Sequence, residues 1–175
     1  MRQPEGESMD WARIKVLLLD SDGVLTDGGV FLPESGGSEF RRFDIKDGFG
    51  IARLLSIGFP IAVISRSPST PVSTRCEKLG IKHVFLGAKD KVACAEKLLK
   101  ELGLDWKEAA FMGDDVPDIP LLQQVGKSLC PANASKETLD HADWVSQFPG
   151  GQGAVREISD KLYWAHTSGD SELPE

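Results

Sequence analysis

The chain has 175 residues, 41% of them apolar, and a formal charge of −7. That is enough chain to bury a substantial core as one domain, and the negative balance offers no broad basic surface, so neither nucleic acid nor a membrane is expected as a partner. Cys76, Cys94 and Cys130 lie far apart with no Cys-x-x-Cys pair, a pattern that suits a reducing cytoplasm better than a disulfide framework.

Residues 1–10 are polar, with no positively charged segment followed by an apolar one, so they read as a mobile leader and not as a signal peptide. Residues 11–166 then form the single expected domain, and 167–175, rich in Ser, Gly, Pro and acid, read as a mobile tail. No apolar run is long enough to span a bilayer.

The first strong signal is Val16-Leu17-Leu18-Leu19, an apolar run that stops at Asp20-Ser21-Asp22-Gly23. A continuous apolar run reads as a strand buried on both faces, as in a helix-covered parallel sheet. Ligands of such sheets bind beyond the carboxyl ends of the strands, where Asp20 and Asp22 would sit. Taken alone, the same residues also fit an ordinary Asp-Gly turn. Gly28 to Leu32 and Glu39 to Ile45 flank Pro33-Glu34-Ser35-Gly36-Gly37, which predicts a β-hairpin projecting near the site as a flap.

From Asp47 onward helix and strand patterns alternate. Helices are predicted near Gly50 to Ile57 and over Pro71 to Leu79, and strands over Pro60 to Ile64 and His83 to Leu86. Lys91 to Leu102 carries Val92, Ala95, Leu98, Leu99 and Leu102 on one face and stops at Gly103. After the capping-box spacing of Asp105 and Glu108, Ala109 to Met112 forms another buried strand ending in acid, at Gly113-Asp114-Asp115. A short helix near Ile119 to Val125, a strand near Ser128 to Cys130, a helix near Lys136 to His141, a strand at Trp144-Val145 and a last amphipathic helix after Gly150-Gly151-Gln152-Gly153 complete the series. The alternation predicts an α/β fold, a doubly wound parallel sheet with helices on both faces.

Two buried strands thus end in paired acids, Asp20/Asp22 and Asp114/Asp115, and the sheet can bring both ends to one edge. Converging carboxylates repel unless a cation sits among them, and oxygen ligands completed by water and a phosphate suit Mg²⁺. Ser65, at a strand end, and Lys91, at a helix start, are suitable donors for phosphoryl oxygens. Individually they also fit a turn residue and a solvated cation.

Asp20-Ser21-Asp22-Gly23-Val24-Leu25-Thr26-Asp27-Gly28, then Ser65, Lys91 and Gly113-Asp114-Asp115-Val116-Pro117-Asp118 together resemble the ordered motifs of the haloacid dehalogenase-like phosphatases. The chain most resembles their capless branch, which contains the 3-deoxy-D-manno-octulosonate 8-phosphate phosphatases and the sialic-acid-type 9-phosphate phosphatases. Phe43-Asp44-Ile45-Lys46-Asp47-Gly48 and Gly150-Gly151-Gln152-Gly153-Ala154-Val155-Arg156-Glu157 are similar to that branch's other signatures.

The resemblance implies a Mg²⁺-dependent phosphomonoesterase without a cap domain. Asp20 would be the nucleophile and Asp22 the proton shuttle. The metal would be held by the Asp20 carboxylate, the Asp22 main-chain carbonyl and Asp114. Ser65 and Lys91 would bind phosphate. Asp115 would orient Lys91 or a metal-bound water, and Asp118 would stand behind the ligands. Lys46, Asp47, Arg75 and Arg156 would touch the substrate, a phosphorylated 2-keto-3-deoxy sugar acid of eight carbons or, alternatively, nine. A cytoplasmic homotetramer with shared active sites is implied, packed through the hairpins.

Two positions depart from the branch. Ser65-Arg66-Ser67 places Ser67 where a sugar-binding Arg is expected, and Ala52 falls at a second expected Arg, with Arg53 beside it. Adjacent helix residues point about 100° apart, so the neighbour is no automatic substitute. Readings of another class are a phospho-acceptor switch, whose acceptor Asp belongs on a later strand, and a non-catalytic assembly domain.

Overall fold

The computed structural model describes residues 10–34, 36, 37 and 39–167. The expected leader and tail, apart from Asp10 and Thr167, lie outside them. Six parallel strands form one sheet in the order β3-β2-β1-β4-β5-β6: β1 is Val16–Leu19, β2 Ile61–Ser65, β3 His83–Leu86, β4 Ala109–Met112, β5 Lys127–Cys130 and β6 Trp144–Val145. Chain connections run outward from β1 toward β3 and then outward from β4 toward β6, so the winding direction reverses between β1 and β4. That reversal opens a crevice at the carboxyl ends of these two strands.

Period-2 alternation within the strands divides the core into two layers. Leu17, Leu19, Ile61, Val63, Ala110 and Met112 pack on one face against α1 (Ile45–Ser56), α2 (Thr70–Leu79) and α6 (Ala154–Thr167). Val16, Leu18, Ala62, Ile64, Ala109 and Phe111 face α3 (Lys91–Leu102), α4 (Ile119–Leu122) and α5 (Lys136–Leu139) on the other. The doubly wound sheet is therefore as predicted, and no cap domain is inserted among the described residues.

α3 occupies its predicted span, capped by Asp90 at its start and by left-handed Gly103 at its end. α1 departs from expectation, beginning at Ile45 and not near Gly50, because Asp44 caps the Lys46 N–H and helix continues through Gly48 and Gly50. Those glycines serve packing: a Cβ at Gly48 would lie 2.2 Å from Arg75 Nη2, and one at Gly50 3.0 Å from Arg156 Cδ. The predicted flap is present in outline only. Isolated antiparallel bridges join Thr26 to Phe43 and Phe31 to Phe40, and no regular strand pair forms among its described residues.

Candidate active site

The first strand runs straight into the site. The Asp20 N–H donates to the Met112 carbonyl at 3.0 Å, tying the end of β1 to the end of β4. The chain then turns through Gly23 at φ +86°, a left-handed conformation that glycine adopts without steric penalty. Glycine is also required by space, since a Cβ there would lie 2.0 Å from Asp114 Oδ2. The main chain of the first motif is thereby pressed against the carboxylate of the fourth.

Asp20, Asp22, Ser65, Lys91, Asp114 and Asp118 line one cleft of about 350 Å³, so residues from four separate stretches of chain meet at the reversal point. Lys91 Nζ lies 2.7 Å from Asp20 Oδ1 and 2.6 Å from Asp118 Oδ1, and all three side chains are almost fully buried. Burial alone would lower the Lys91 pKa, but the two carboxylates outweigh it and raise it, so the ammonium is retained. Burial pushes Asp20 up to about 6, against the opposing pull of Lys91. Burial, helped by the negative charges of Asp20, Asp118 and Asp115, pushes Asp114 up to about 7.

Ser65 Oγ accepts from Ser21 Oγ at 2.7 Å and from the Ser67 N–H at 3.2 Å. Its own O–H therefore remains free to donate toward a ligand in the cleft. Arg66 and Ser67 also line the cleft, Arg66 as an exposed residue.

Carboxylate oxygens of Asp20, Asp114 and Asp118 come within 4.8 Å of one another. Asp118 is already engaged: one oxygen takes Lys91, and the other accepts the N–H groups of Asp114 and Asp115 at 3.0 and 3.3 Å. Asp20 and Asp114, crowded, buried and offset by a single ammonium, are left with the excess negative charge that a hard divalent cation would neutralise. The donor set fits Mg²⁺.

Several expected roles are reassigned. Asp118, and not Asp115, orients Lys91; Asp115 Oδ1 instead accepts the Val116 N–H and caps the turn leading to α4. Asp47 is buried, and its carboxylate accepts the N–H groups of Arg156 (2.8 Å) and Gly153 (3.3 Å), so it caps α6 instead of facing the cleft. Arg75 donates to the Asp44 carbonyl at 3.3 Å and sits against Gly48. Arg53 pairs with Asp160 and stacks over Tyr163 and Trp164, which removes it as a stand-in for the Arg expected at position 52. Lys46 and Arg156 line a second cleft of about 360 Å³ beside α6, with Phe148 and Trp164.

Sequence reasoning missed two participants. Ser21, between the paired acids, bridges to Ser65. Arg41, on the flap, reaches Asp22 Oδ1 with Nε at 3.0 Å. Neither contact has a local sequence signal, because each joins residues distant in the chain.

A sequence model described as haloacid dehalogenase-like hydrolase matches residues 78–158. A 3-deoxy-D-manno-octulosonate 8-phosphate phosphatase of Escherichia coli, KdsC, is 37% identical over 152 residues, covering 87% of this chain and 80% of that protein. The crystal structure of the corresponding phosphatase from Moraxella catarrhalis, in complex with magnesium ion, phosphate ion and a KDO molecule, is similar at a TM-score of 0.86 and 32% identity, covering 90% of each chain. The cobalt-bound enzyme from Haemophilus influenzae matches at 0.84 and 34%, covering 90% of this chain and 91% of that one.

Proposed function

The chain belongs to the haloacid dehalogenase-like hydrolases, and from that membership we propose that it is a Mg²⁺-dependent phosphomonoesterase hydrolysing 3-deoxy-D-manno-octulosonate 8-phosphate. The observation that carries this reading is the meeting of Asp20, Asp22, Asp114, Ser65 and Lys91 in one cleft at the β1/β4 reversal. A phospho-acceptor switch is disfavoured by the same geometry, since the acid two residues after Asp20 shares the cleft and provides for turnover.

Asp20 attacks phosphorus in line with the ester oxygen. As the bond from phosphorus to Asp20 forms, the bond to the ester oxygen breaks, and the departing sugar oxygen takes a proton from Asp22. Water then attacks the aspartyl phosphate, returning a proton to Asp22, and inorganic phosphate leaves as the bond to Asp20 breaks. Ser65 donates its hydroxyl proton to a non-bridging oxygen, and Lys91, oriented by Asp118, supplies positive charge there. The Asp20 and Asp114 carboxylates and the Asp22 carbonyl would hold Mg²⁺, which would supply charge neutralisation.

The assembly is proposed to be a homotetramer whose subunits complete one another's sites. What supports it is the apolar surface left open by the flap and the start of α1, where Val30, Phe31, Leu32, Phe40, Ile45 and Phe49 are all at least half exposed. Lys46 and Arg156, away from their own chain's cleft, then serve a neighbouring one.

Steady-state hydrolysis of the eight-carbon and nine-carbon ulosonate phosphates, with Mg²⁺ and with chelator, tests the reading. Turnover of the eight-carbon ester that disappears with chelator and returns with Mg²⁺ is expected. Metal-independent turnover would sink the mechanism, whereas a much higher kcat/KM for the nine-carbon ester would change only the substrate. A fully active monomer in sedimentation would refute the assembly.

A further inference from the structure

We infer that Arg41 is a positioning residue for Asp22, so that the flap determines how well the leaving oxygen is protonated. The inference rests on the reading of Asp22 as the proton shuttle. Asp22 needs such help: its side chain is 35% exposed, unlike the buried Asp20, and nothing in its own loop holds the carboxylate. Arg41 supplies the hold from 19 residues away, through Nε to Asp22 Oδ1 at 3.0 Å. Asp22 Oδ2 takes no hydrogen bond among the described residues, so one oxygen is fixed while the other is free to face the leaving group.

The guanidinium is placed with some care. Its side chain is only 6% exposed, and Nη2 is anchored to Glu39 Oε1 at 2.9 Å, on the same flap. The next residue, Arg42, ties the flap to Asp27 Oδ2 (3.2 Å) and the Gly151 carbonyl (3.3 Å), while the Thr26–Phe43 bridge fixes the flap's base. Arg41 Nη1 is buried with no partner among the described residues. A buried donor left unpaired is destabilising, and a cation withdrawn from water for stability alone would be expected to have all its donors satisfied. The arrangement makes sense if the guanidinium is set by where Asp22 must be held.

Arg41 can be tested through the leaving group, which a general packing role does not distinguish. kcat/KM reads only the steps through phosphoryl transfer. Proton donation matters there for a sugar alkoxide and hardly at all for 4-nitrophenolate, which leaves unaided. For Arg41→Ala, kcat/KM on the octulosonate 8-phosphate should fall by roughly 10²-fold, the scale of a small misplacement of a reacting group. On 4-nitrophenyl phosphate it should fall by less than about threefold. Arg41→Lys, which keeps a cation on the flap, should recover to within about tenfold of the parent enzyme. It also serves as the readout if the alanine variant fails to fold, as judged by thermal melting. In an Asp22→Asn background, Arg41→Ala and Arg41→Lys should cost nothing further, because a residue acting through Asp22 has nothing left to position.

Equal losses on both esters, no loss on either, or an undiminished loss in the Asp22→Asn background would each overturn the inference. If Asp22→Asn itself lowers both esters equally, the shuttle assignment fails and the role of Arg41 fails with it. If Asp22→Asn discriminates between the esters and the Arg41 variants do not, the shuttle stands and the positioning role alone is lost.

Discussion

The carboxyl edge of β1 and β4 and the corner where α1 meets α6 hold the two groups of residues that the family resemblance marked, and the chain treats them differently. At the sheet edge Asp20, Asp22, Ser65, Lys91 and Asp114 converge on one cleft. At the corner Lys46 and Arg156 line a separate cleft, while Asp47 and Arg75 spend their polar groups on α6 and on the Asp44 carbonyl. The groups proposed for phosphoryl transfer thus meet within one chain. The corner's first task is mechanical, because the Gly150–Gly153 loop between β6 and α6 packs directly on the turn that follows Asp20.

The largest effect should come from the edge. Asp20→Asn removes the proposed nucleophile while preserving shape, and kcat on the octulosonate ester should fall by roughly 10⁴-fold or more. An unimpaired variant, measured in the same steady-state assay, would dissolve the distinction between the regions at its root.

Next in size is a change in the corner that reaches the edge. The Gly151 N–H donates to the Val24 carbonyl at 2.8 Å, and a Cβ at Gly150 would lie 1.7 Å from the Gly23 carbonyl oxygen. Overpacking of this kind costs about 1–3 kcal/mol. Gly150→Ala should therefore lower both the melting temperature and kcat, with kcat down by about tenfold as Asp20 and Asp22 shift. A variant that melts earlier but turns over normally would show that the corner merely abuts the edge.

The difference between the regions also explains what was legible in the sequence. β1, α3 and β4 were readable because each is a local signal: a continuous apolar run, a helical stripe that stops at Gly103, an apolar run ending in acid. Ordered in a doubly wound chain, those signals also place the acids and Lys91 at one edge. The start of α1 was hidden because Gly48 and Gly50 lower helix propensity, and only contact with Arg75 and Arg156 reveals why they are tolerated. The partners of Asp22 and Asp47 were hidden for a different reason. Arg41 is 19 residues from Asp22, and the Arg156 N–H is 109 from Asp47, separations at which no periodicity or capping pattern operates.

Asp47 offers a sharper division. As a buried cap of α6, its replacement by Ala should cost about 1–2 kcal/mol of stability. The KM for the ester should change by less than about threefold, since uniform substrate binding is not what is removed. A large rise in KM with an unchanged melting temperature would return Asp47 to the substrate-binding group and move the corner into the chemistry.

The smallest effect separates the regions by their response to metal. Burial raises Asp20 to about 6, Asp47 to about 6 and Asp114 to about 7, from a starting value of 3.8. A carboxyl whose pKa is higher folded than unfolded favours folding in its protonated form. Its contribution is complete below the unfolded value and is lost as the pH rises through the folded one. Without divalent metal the protein should therefore melt at higher temperature near pH 5.5 than near pH 7.5, by a few degrees, at about 2–4 °C per kcal/mol for a chain of this size. In the proposed site Mg²⁺ would bind the ionised carboxylates of Asp20 and Asp114, so it should raise the melting temperature most at pH 7.5 and flatten or invert the slope. Asp114→Asn should abolish the Mg²⁺ effect and with it much of the slope. Asp47→Asn should reduce the slope equally with and without Mg²⁺, because that carboxyl faces Gly153 and Arg156 and not the cation site. Melting curves at the two pH values, with Mg²⁺ and with chelator, would read this directly. A Mg²⁺ response that vanished in Asp47→Asn would mean that the edge and the corner titrate as one unit.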